Sequence, residues 1–387
     1  MIINMKSRMK GDFHIRFCEN AGVKFPRVTR LAAMRGRQCN GKMTKKIKNR
    51  IKQNNMSIPK YKTFTEKSSH FNTIKIDSID DFREIYREHE KSQGIYRGIN
   101  SSSYKIFTSK QREFLTKTTN KDYLSVLKSN KYIQEYFRIA KIPMTELSFY
   151  SLLQHYSKPT PLIDFTRNFS KTLFFALDGI DTNVGVEEID NYFSVFFISA
   201  SNLDLLDASE QFIGAVEHNK TANKYFESYE DYSESLILSH TEELVNIWIR
   251  EVFLLENDSR YSGFIEIKNN HRIIMQEGVF VCNNYGYKDN SVVPLEEALK
   301  LFLKEEAKQN YYSHWDEMDI NRPDVQQGIQ EYENYIDKVK GFQKRLCENI
   351  ITSYEVNKSL INEICSSFEI PSKELMYFDI EKILNNI

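Results

Sequence analysis

The chain has 387 residues, of which 41% are hydrophobic, so it is long enough to bury a sizeable core in one large or two ordinary domains. Lysine plus arginine (53) equals aspartate plus glutamate (53), and this zero net charge excludes recruitment of nucleic acid or membranes by overall charge. No run approaches the roughly 18 apolar residues that a spanning helix needs, and the first residues lack the apolar segment of a signal peptide. We therefore expect a cytoplasmic protein.

Cysteine and histidine spacing argues against a metal centre. The five cysteines are far apart and form no Cys-x-x-Cys pair, and the eight histidines include no His-x-x-x-His pair. We predict no metal site and expect the cysteines to be reduced thiols.

The first part of the chain differs in composition from the rest, because basic residues dominate it and acidic residues are rare. We expect a basic, disordered leader at residues 1–65, followed by one domain at residues 66–387. Two interpretations of the leader stay open. It is either an arm that binds nucleic acid by counterion release, or a solvated or misassigned segment, with the true start at Met34, Met43 or Met56.

The apolar periodicity predicts an α+β protein, in which one large domain holds a small mixed sheet surrounded by helices. Asp77–Lys91 predicts an amphipathic helix capped by Ser78, and Ile95 and Tyr96 predict a short strand. Further helices are expected at Gln111–Lys117, Tyr123–Ile142, Asp204–His240, Leu295–Lys308, Gln326–Leu346, Lys358–Phe368 and Phe378–Leu384. Further strands are expected at Tyr192–Ser199, Gly263–Ile267, Arg272–Cys282 and Ile350–Val356.

The least ordinary side chains lie between Leu152 and Gly179. Leu147–Tyr156 predicts one short helix that ends before Pro159, since a proline lacks the amide hydrogen and biases its predecessor away from helix. A bend is therefore expected near Pro159 and Pro161.

A second helix is expected at Phe169–Leu177, with Thr166 or Asn168 as its N-cap and Gly179 as a left-handed stop. The two helices would hold a group of polar residues between their ends, namely His155, Asp164, Thr166 and Arg167. This arrangement is typical of a site.

No familiar catalytic motif is present: there is no P-loop, Gly-x-Gly-x-x-Gly, Gly-x-Ser-x-Gly or His-Glu-x-x-His. Arg97 has the planar donor fork that suits a phosphate or carboxylate, and Gly98 beside it has no side chain to block a ligand or a neighbouring backbone. Alternatively, Arg97 pairs with Asp164 or another buried acid as a purely structural residue.

His155 is a candidate acid, base or hydrogen-bond donor near neutral pH, or else a helix-end histidine bonded to backbone. Asp164 orients His155 or caps the following helix. Gln276 and Glu277, next to Gly278, would present an amide and a carboxylate to a sugar, or else are merely solvated.

Several short motifs stand together in the chain: Tyr96-Arg97-Gly98, Leu153-Gln154-His155-Tyr156 with Pro159-Thr160, Leu162-Ile163-Asp164-Phe165-Thr166, Phe174-Phe175-Ala176 and Arg272 to Phe280. In this order they resemble the FRG-domain family, named for its Phe-Arg-Gly motif, over roughly residues 75–387. The chain departs from the family pattern at four positions, namely Tyr96 for Phe, Ser157 for Gly, Pro161 for Arg and Phe165 for Trp. The missing arginine at 161 weakens any claim that this loop binds phosphate.

The resemblance implies a largely uncharacterised, mostly bacterial family with suspected roles around phage defence. The order of elements is also similar, more loosely, to that of ADP-ribosyltransferases. That similarity implies NAD as the candidate cofactor, with Arg97 on its pyrophosphate and His155 or Tyr156 at the ribose or nicotinamide. Glu277 would then stabilise the sugar transition state, so that His155 and Glu277 are the candidate catalytic residues.

The remaining candidate ligand-binding residues are Tyr96, Gly98, Gln154, Asp164, Thr166 and Gln276. The leading hypothesis is therefore an FRG-domain protein whose polar pocket handles a nucleotide-like ligand. The alternative is a non-catalytic binding or scaffold module of a bacterial defence system, in which the same residues form a buried polar network and the protein partner is not identified.

Overall fold

A computed structural model describes residues 57–116, 122–156, 158–183, 185–208, 251–256, 266–268, 271–285, 292–302 and 349–377. Residues 1–56 of the expected leader and the helices expected at Gln326–Leu346 and Phe378–Leu384 lie outside these residues, as does nearly all of Asp204–His240.

Seven strands form one mixed sheet in the order β1-β7-β4-β2-β3-β6-β5. They are β1 (Asn72–Ile76), β2 (Gly94–Ile99), β3 (Leu162–Thr166), β4 (Tyr192–Ser199), β5 (Val252–Leu255), β6 (Gly278–Asn283) and β7 (Thr352–Asn357). Strands β1 and β7 pair in parallel, and every other neighbouring pair is antiparallel. The predicted α+β class with a mixed sheet is confirmed.

The described helices surround this sheet. They are α1 (Phe64–Ser68), α2 (Ile79–His89), α3 (Ser109–Thr116), α4 (Tyr123–Lys128), α5 (Lys131–Ala140), α6 (Glu146–His155), α7 (Phe169–Leu177), α8 (Ala200–Leu203), α9 (His271–Met275), α10 (residues 295–302), α11 (Ile361–Ser367) and α12 (Lys373–Met376). No helix among the described ranges is both long enough and apolar enough to cross a membrane.

Local capping signals account for the best-predicted helices. Ser78 accepts a hydrogen bond from the Asp81 amide at the start of α2, and Asn168 does the same for the Lys171 amide at the start of α7. Gly179 follows α7 with φ of +68°, which confirms the expected left-handed stop.

Three predicted elements are corrected by the structure. The strand expected at Gly263–Ile267 is not seen in its described part, because residues 266–268 belong to no strand. The segment Arg272–Cys282 is not one interrupted strand, because Arg272–Met275 belongs to helix α9 and only the part from Gly278 is strand. The turn between them passes through Glu277, whose φ is +49°. The helix expected at Tyr123–Ile142 is two helices, α4 and α5, since Asn130 caps a new helix start.

The core occupies both faces of the sheet. Tyr61 and Phe64, which precede the expected boundary at residue 66, are buried with strand residues such as Ile95 and Phe196. On the other face, α7 packs against β2 and β4 through residues such as Leu173.

A buried ion pair ties α1 to β7 inside this core. Lys67 Nζ lies 2.6 Å from Glu355 Oε1, and both side chains are fully buried. Lys67 also donates to the Ser194 hydroxyl at 2.7 Å, and that hydroxyl donates to Glu355 Oε2 at 2.8 Å. The two charges are therefore compensated and hydrogen-bonded, as buried charges must be.

Candidate functional site

Arg97 joins two strands at the point where their ladder ends. Strands β2 and β3 share one register pair, Tyr96 with Thr166. Beyond it, Arg97 Nη1 donates to the backbone carbonyl of Asp164 at 2.6 Å. The guanidinium therefore lies in the gap between β2 and β3, where a regular sheet would have backbone hydrogen bonds.

A chain of hydrogen bonds leads from Asp164 to the proline loop. Gln154 Nε2, in the last turn of α6, donates to Asp164 Oδ2 at 2.7 Å. The Thr160 hydroxyl donates to Gln154 Oε1 and accepts from the Leu162 amide at 3.2 Å. These bonds fix the Asp164 carboxylate relative to α6 and the loop.

His155 ends helix α6 next to this chain. Its Nε2 atom is buried and has no hydrogen-bond partner among the described residues. Arg272 Nη1 donates to the His155 backbone carbonyl at 3.3 Å. Burial lowers the pKa of the imidazole to about 4, Asp164 acts in the opposite direction, and the Arg272 charge lowers it further. His155 is therefore neutral near pH 7.

Two arginines lie near the carboxylate of Asp164. Burial lowers the pKa of Arg97 to about 10, Asp164 opposes this, and the neighbouring Arg112 lowers it further. Arg112, on α3, is exposed, and its pKa is lowered by desolvation and raised by Asp164. Both guanidinium groups stay charged at pH 7. These two guanidinium groups share one carboxylate, so the cluster has an excess of positive charge, which suits an anion.

The described residues do not satisfy every hydrogen-bond donor of the Arg97 guanidinium. Its Nε atom is buried and finds no hydrogen-bond partner in the described part of the chain. Two buried nitrogens, Arg97 Nε and His155 Nε2, are therefore open to an acceptor or donor that these residues do not supply.

Glu277 and Gln276 do not join this cluster. Glu277 is half exposed and forms an ion pair with Lys171 at 2.7 Å, beside the start of α7. Gln276 donates to the Met376 carbonyl at 3.0 Å and accepts from the Thr166 hydroxyl at 2.7 Å. No hydrogen bond or ion pair between the described residues connects Glu277 with His155.

Tyr96, Gly98 and Tyr156 also lie apart from the polar cluster. Tyr96 is 0% exposed, and its hydroxyl lies 3.1 Å from Nδ1 of the buried His89. Gly98 lies directly under α7, where a Cβ would come within 2.2 Å of the Thr172 carbonyl oxygen. Tyr156 is 66% exposed. The structure thus brings together Arg97, Gln154, His155 and Asp164 of the expected residues.

Sequence reasoning missed the two other arginines. Arg112 is one of many basic residues in a predicted helix, so nothing in its local pattern singled it out. Arg272 was placed on a strand, although it starts the motif that resembles the family's Arg-Ile segment. On helix α9 it reaches the end of α6 instead.

A surface cavity of about 370 Å³ lies elsewhere, at the edge of the sheet where β2 begins and β5 ends. It is lined by residues such as Gly94, Leu254, Asp204 and the ion-paired Arg167 and Glu256. Of the polar group expected between the two helix ends, Arg167 lines this cavity, whereas His155, Asp164 and Thr166 do not. Within the described ranges, no group of three or more His, Cys, Asp or Glu side chains is placed to hold a metal ion.

Comparison with known proteins gives one match. No curated protein and no solved structure is significantly similar to the chain. A family model described as the FRG domain matches residues 92–184, a range that contains β2, α6, β3 and α7. The chain therefore contains a segment that matches the FRG domain, and this segment carries Arg97, Gln154, His155 and Asp164.

Proposed function

We propose that the Arg97–His155–Asp164 cluster binds an anionic, nucleotide-like ligand. The observation that carries this proposal is the pair of buried nitrogens, Arg97 Nε and His155 Nε2, without partners among the described residues. Leaving such a group unsatisfied costs about 1–3 kcal/mol. A ligand that offers oxygen atoms to both nitrogens would remove this cost, and the positive charge nearby favours a phosphate.

Each residue has a distinct part in this binding. Arg97 holds a phosphate oxygen through its free donors while Nη1 stays on the Asp164 carbonyl. Gln154 and Asp164 position one another, so they support the site rather than contact the ligand. Neutral His155 offers one ring nitrogen as donor and the other as acceptor, which suits a ribose hydroxyl.

NAD is the first ligand to test, and the chemistry beyond binding depends on Glu277. In an ADP-ribosyltransferase-like reaction, Glu277 would support the ribose as the glycosidic bond breaks. Its ion pair with Lys171 and its half-exposed position favour the second candidate function, a non-catalytic binding module for the same kind of ligand. A role in bacterial defence, as transferase or as scaffold, is part of this proposal.

Binding is tested on the purified full-length protein by titration calorimetry with NAD and ADP-ribose. Arg97→Ala should weaken binding by about 1.5–3 kcal/mol, or roughly 10- to 150-fold, because a charged donor is lost. The control is Arg138→Ala, an exposed helix arginine paired with Glu135 at 2.6 Å, which should bind normally. A folded Arg97→Ala protein with unchanged affinity would refute the proposal.

Catalysis is tested in the same samples by following nicotinamide release. Release that disappears in Glu277→Gln, with binding retained, would support the transferase or glycohydrolase function. Binding without release in the unaltered protein would support the non-catalytic module.

A further inference from the structure

We propose that Gln154 is a positioning residue that keeps the candidate anion site open, because it holds the Asp164 carboxylate away from the Arg97 guanidinium. This inference rests on the proposed function, since it concerns the availability of the same site. Without the Gln154 contact, the Asp164 carboxylate would compete with an anionic ligand for Arg97.

Arg97 binds the backbone of Asp164 and not its side chain. Arg97 Nη1 donates to the Asp164 carbonyl at 2.6 Å, and the buried Nε has no hydrogen-bond partner among the described residues. The carboxylate belongs to the residue that Arg97 already contacts, so rotation of the Asp164 side chain would bring it towards the guanidinium. A carboxylate is among the strongest acceptors for a guanidinium. Some other contact must therefore hold the carboxylate where it is.

Gln154 makes this contact. Its Nε2 atom, in the last turn of α6, donates to Asp164 Oδ2 on β3 at 2.7 Å. The bond occupies one carboxylate oxygen and fixes the rotation of the Asp164 side chain. Because the amide is neutral, it holds the carboxylate without adding a second positive charge that would compete with Arg97 for the ligand.

The Thr160 hydroxyl determines which end of the Gln154 amide faces Asp164. This hydroxyl donates to Gln154 Oε1, so the donor end of the amide is left for the carboxylate. The hydroxyl also accepts from the Leu162 amide at 3.2 Å, and the Thr160 amide donates to the Ser109 hydroxyl at 3.0 Å. Thr160 is completely buried. The proline loop thus fixes the orientation of Gln154.

Two simpler roles for Gln154 give different expectations. If Gln154 only stabilised the fold, or if it contacted the ligand itself, removing the Asp164 charge would not restore the affinity that a Gln154 variant loses. If the released carboxylate occupies Arg97, removing its charge in the same molecule restores the affinity. The two classes of role are therefore separated by a double variant.

The test measures the affinity for ADP-ribose by titration calorimetry at pH 7.5 and fixed salt. The full-length protein is compared with Gln154→Ala, Asp164→Asn and the double variant Gln154→Ala/Asp164→Asn. The control is Gln134→Ala, an exposed glutamine on α5 that donates to the Lys128 carbonyl at 2.6 Å and should bind normally when replaced.

We expect Gln154→Ala to lose about tenfold or more in affinity, because the ligand must displace a charged acceptor from Arg97. Asp164→Asn should bind at least as tightly as the unaltered protein, and the double variant should bind as Asp164→Asn does. The neutral amide of asparagine is a weaker acceptor than a carboxylate, so it competes less for the guanidinium.

Variants of Thr160 test the same inference without changing Gln154, and they decide it if Gln154→Ala does not fold. Thr160→Val removes the hydroxyl that orients the amide, so affinity should fall, and adding Asp164→Asn should restore it. Thr160→Ser keeps the hydroxyl and should bind normally.

Two kinds of result overturn the inference and are distinct. If the unaltered protein binds ADP-ribose but Gln154→Ala binds it equally well, or loses affinity that Asp164→Asn does not restore, the role of Gln154 fails while the proposed function stands. If neither the unaltered protein nor Asp164→Asn binds ADP-ribose or NAD, the proposed function fails and this inference fails with it.

Discussion

Replacing Gly98 with alanine should destabilise the protein by forcing α7 away from β2. A Cβ at this position would lie 2.2 Å from the Thr172 carbonyl oxygen and 2.6 Å from the Ala176 amide nitrogen, whereas real Cβ contacts are essentially never under 3.0 Å. The helix backbone would have to retreat by roughly 0.8 Å or more, because neither atom can rotate away. Leu173 and Ala176 of α7 are completely buried, so this movement would loosen their packing as well.

Overpacking of this kind typically costs about 1–3 kcal/mol. Urea unfolding monitored by circular dichroism measures the change in the free energy of unfolding directly. The matched control is Gly179→Ala, where a Cβ meets nothing within 4 Å and only the positive φ of +68° is strained, at about 1–2 kcal/mol. We expect Gly98→Ala to be the more destabilised of the two. Wild-type stability of Gly98→Ala, especially with ligand binding lost, would refute the packing argument and mean that the glycine clears space for a ligand.

Other perturbations test the buried charges and the site histidine. Glu355→Ala should lower the free energy of unfolding in urea by about 3–5 kcal/mol, because it leaves the Lys67 ammonium buried without a charged partner. The double variant Lys67→Met/Glu355→Leu removes both charges and should lower it clearly less. Equal losses in the two variants would mean that lost packing, not the unpaired charge, dominates. His155 becomes protonated below about pH 6.5 in the unfolded chain but only near pH 4 in the folded protein. The free energy of unfolding should therefore fall as the pH drops from about 6.5 to about 4. In His155→Gln, the decrease in the free energy of unfolding between pH 7 and pH 4 should be smaller by up to about 3 kcal/mol, as measured by urea titrations at each pH. An unchanged pH dependence would show that folding does not lower the pKa of the imidazole.

The elements that sequence predicted well are those with local signals. Helices α2 and α7 were predicted from caps and apolar spacing, and β4 from a short aromatic and β-branched run, with the observed boundaries Tyr192–Ser199. Strand β1 was missed, because three of its five residues are exposed and its partner β7 lies 280 residues later, with Asn72 opposite Thr352. A short apolar run such as Ile273-Ile274 fits helix and strand equally, and helix α9 was decided by tertiary packing.

The candidate site was predictable where the motif residues lie close in the chain. Gln154 and Asp164 are ten residues apart and bond directly, so the predicted unit of helix, proline loop and helix contained both of them. Strand β3, which carries Asp164, was not predicted. The position of Glu277 depends on a positive-φ turn and on an ion pair with Lys171, 106 residues away, and neither leaves a trace in the local pattern. Arg112 lies near the site because helix α3 packs against the loop at Thr160, and this contact between distant segments is not visible in the local sequence pattern.

The pairing of β2 has a consequence for how the family segment is inherited and exchanged. Along its whole length, from Gly94 to Ile99, β2 pairs with β4, which begins at Tyr192 and so lies outside the matched range 92–184. With β3 it shares a single pair, so the strand that carries Arg97 takes its alignment from a segment that the family match does not include. Grafting residues 92–184 into another protein would transfer Arg97 without β4, the strand that aligns β2. An evolutionary or engineered exchange that preserves the site must carry β4, or an equivalent strand, along with the motif.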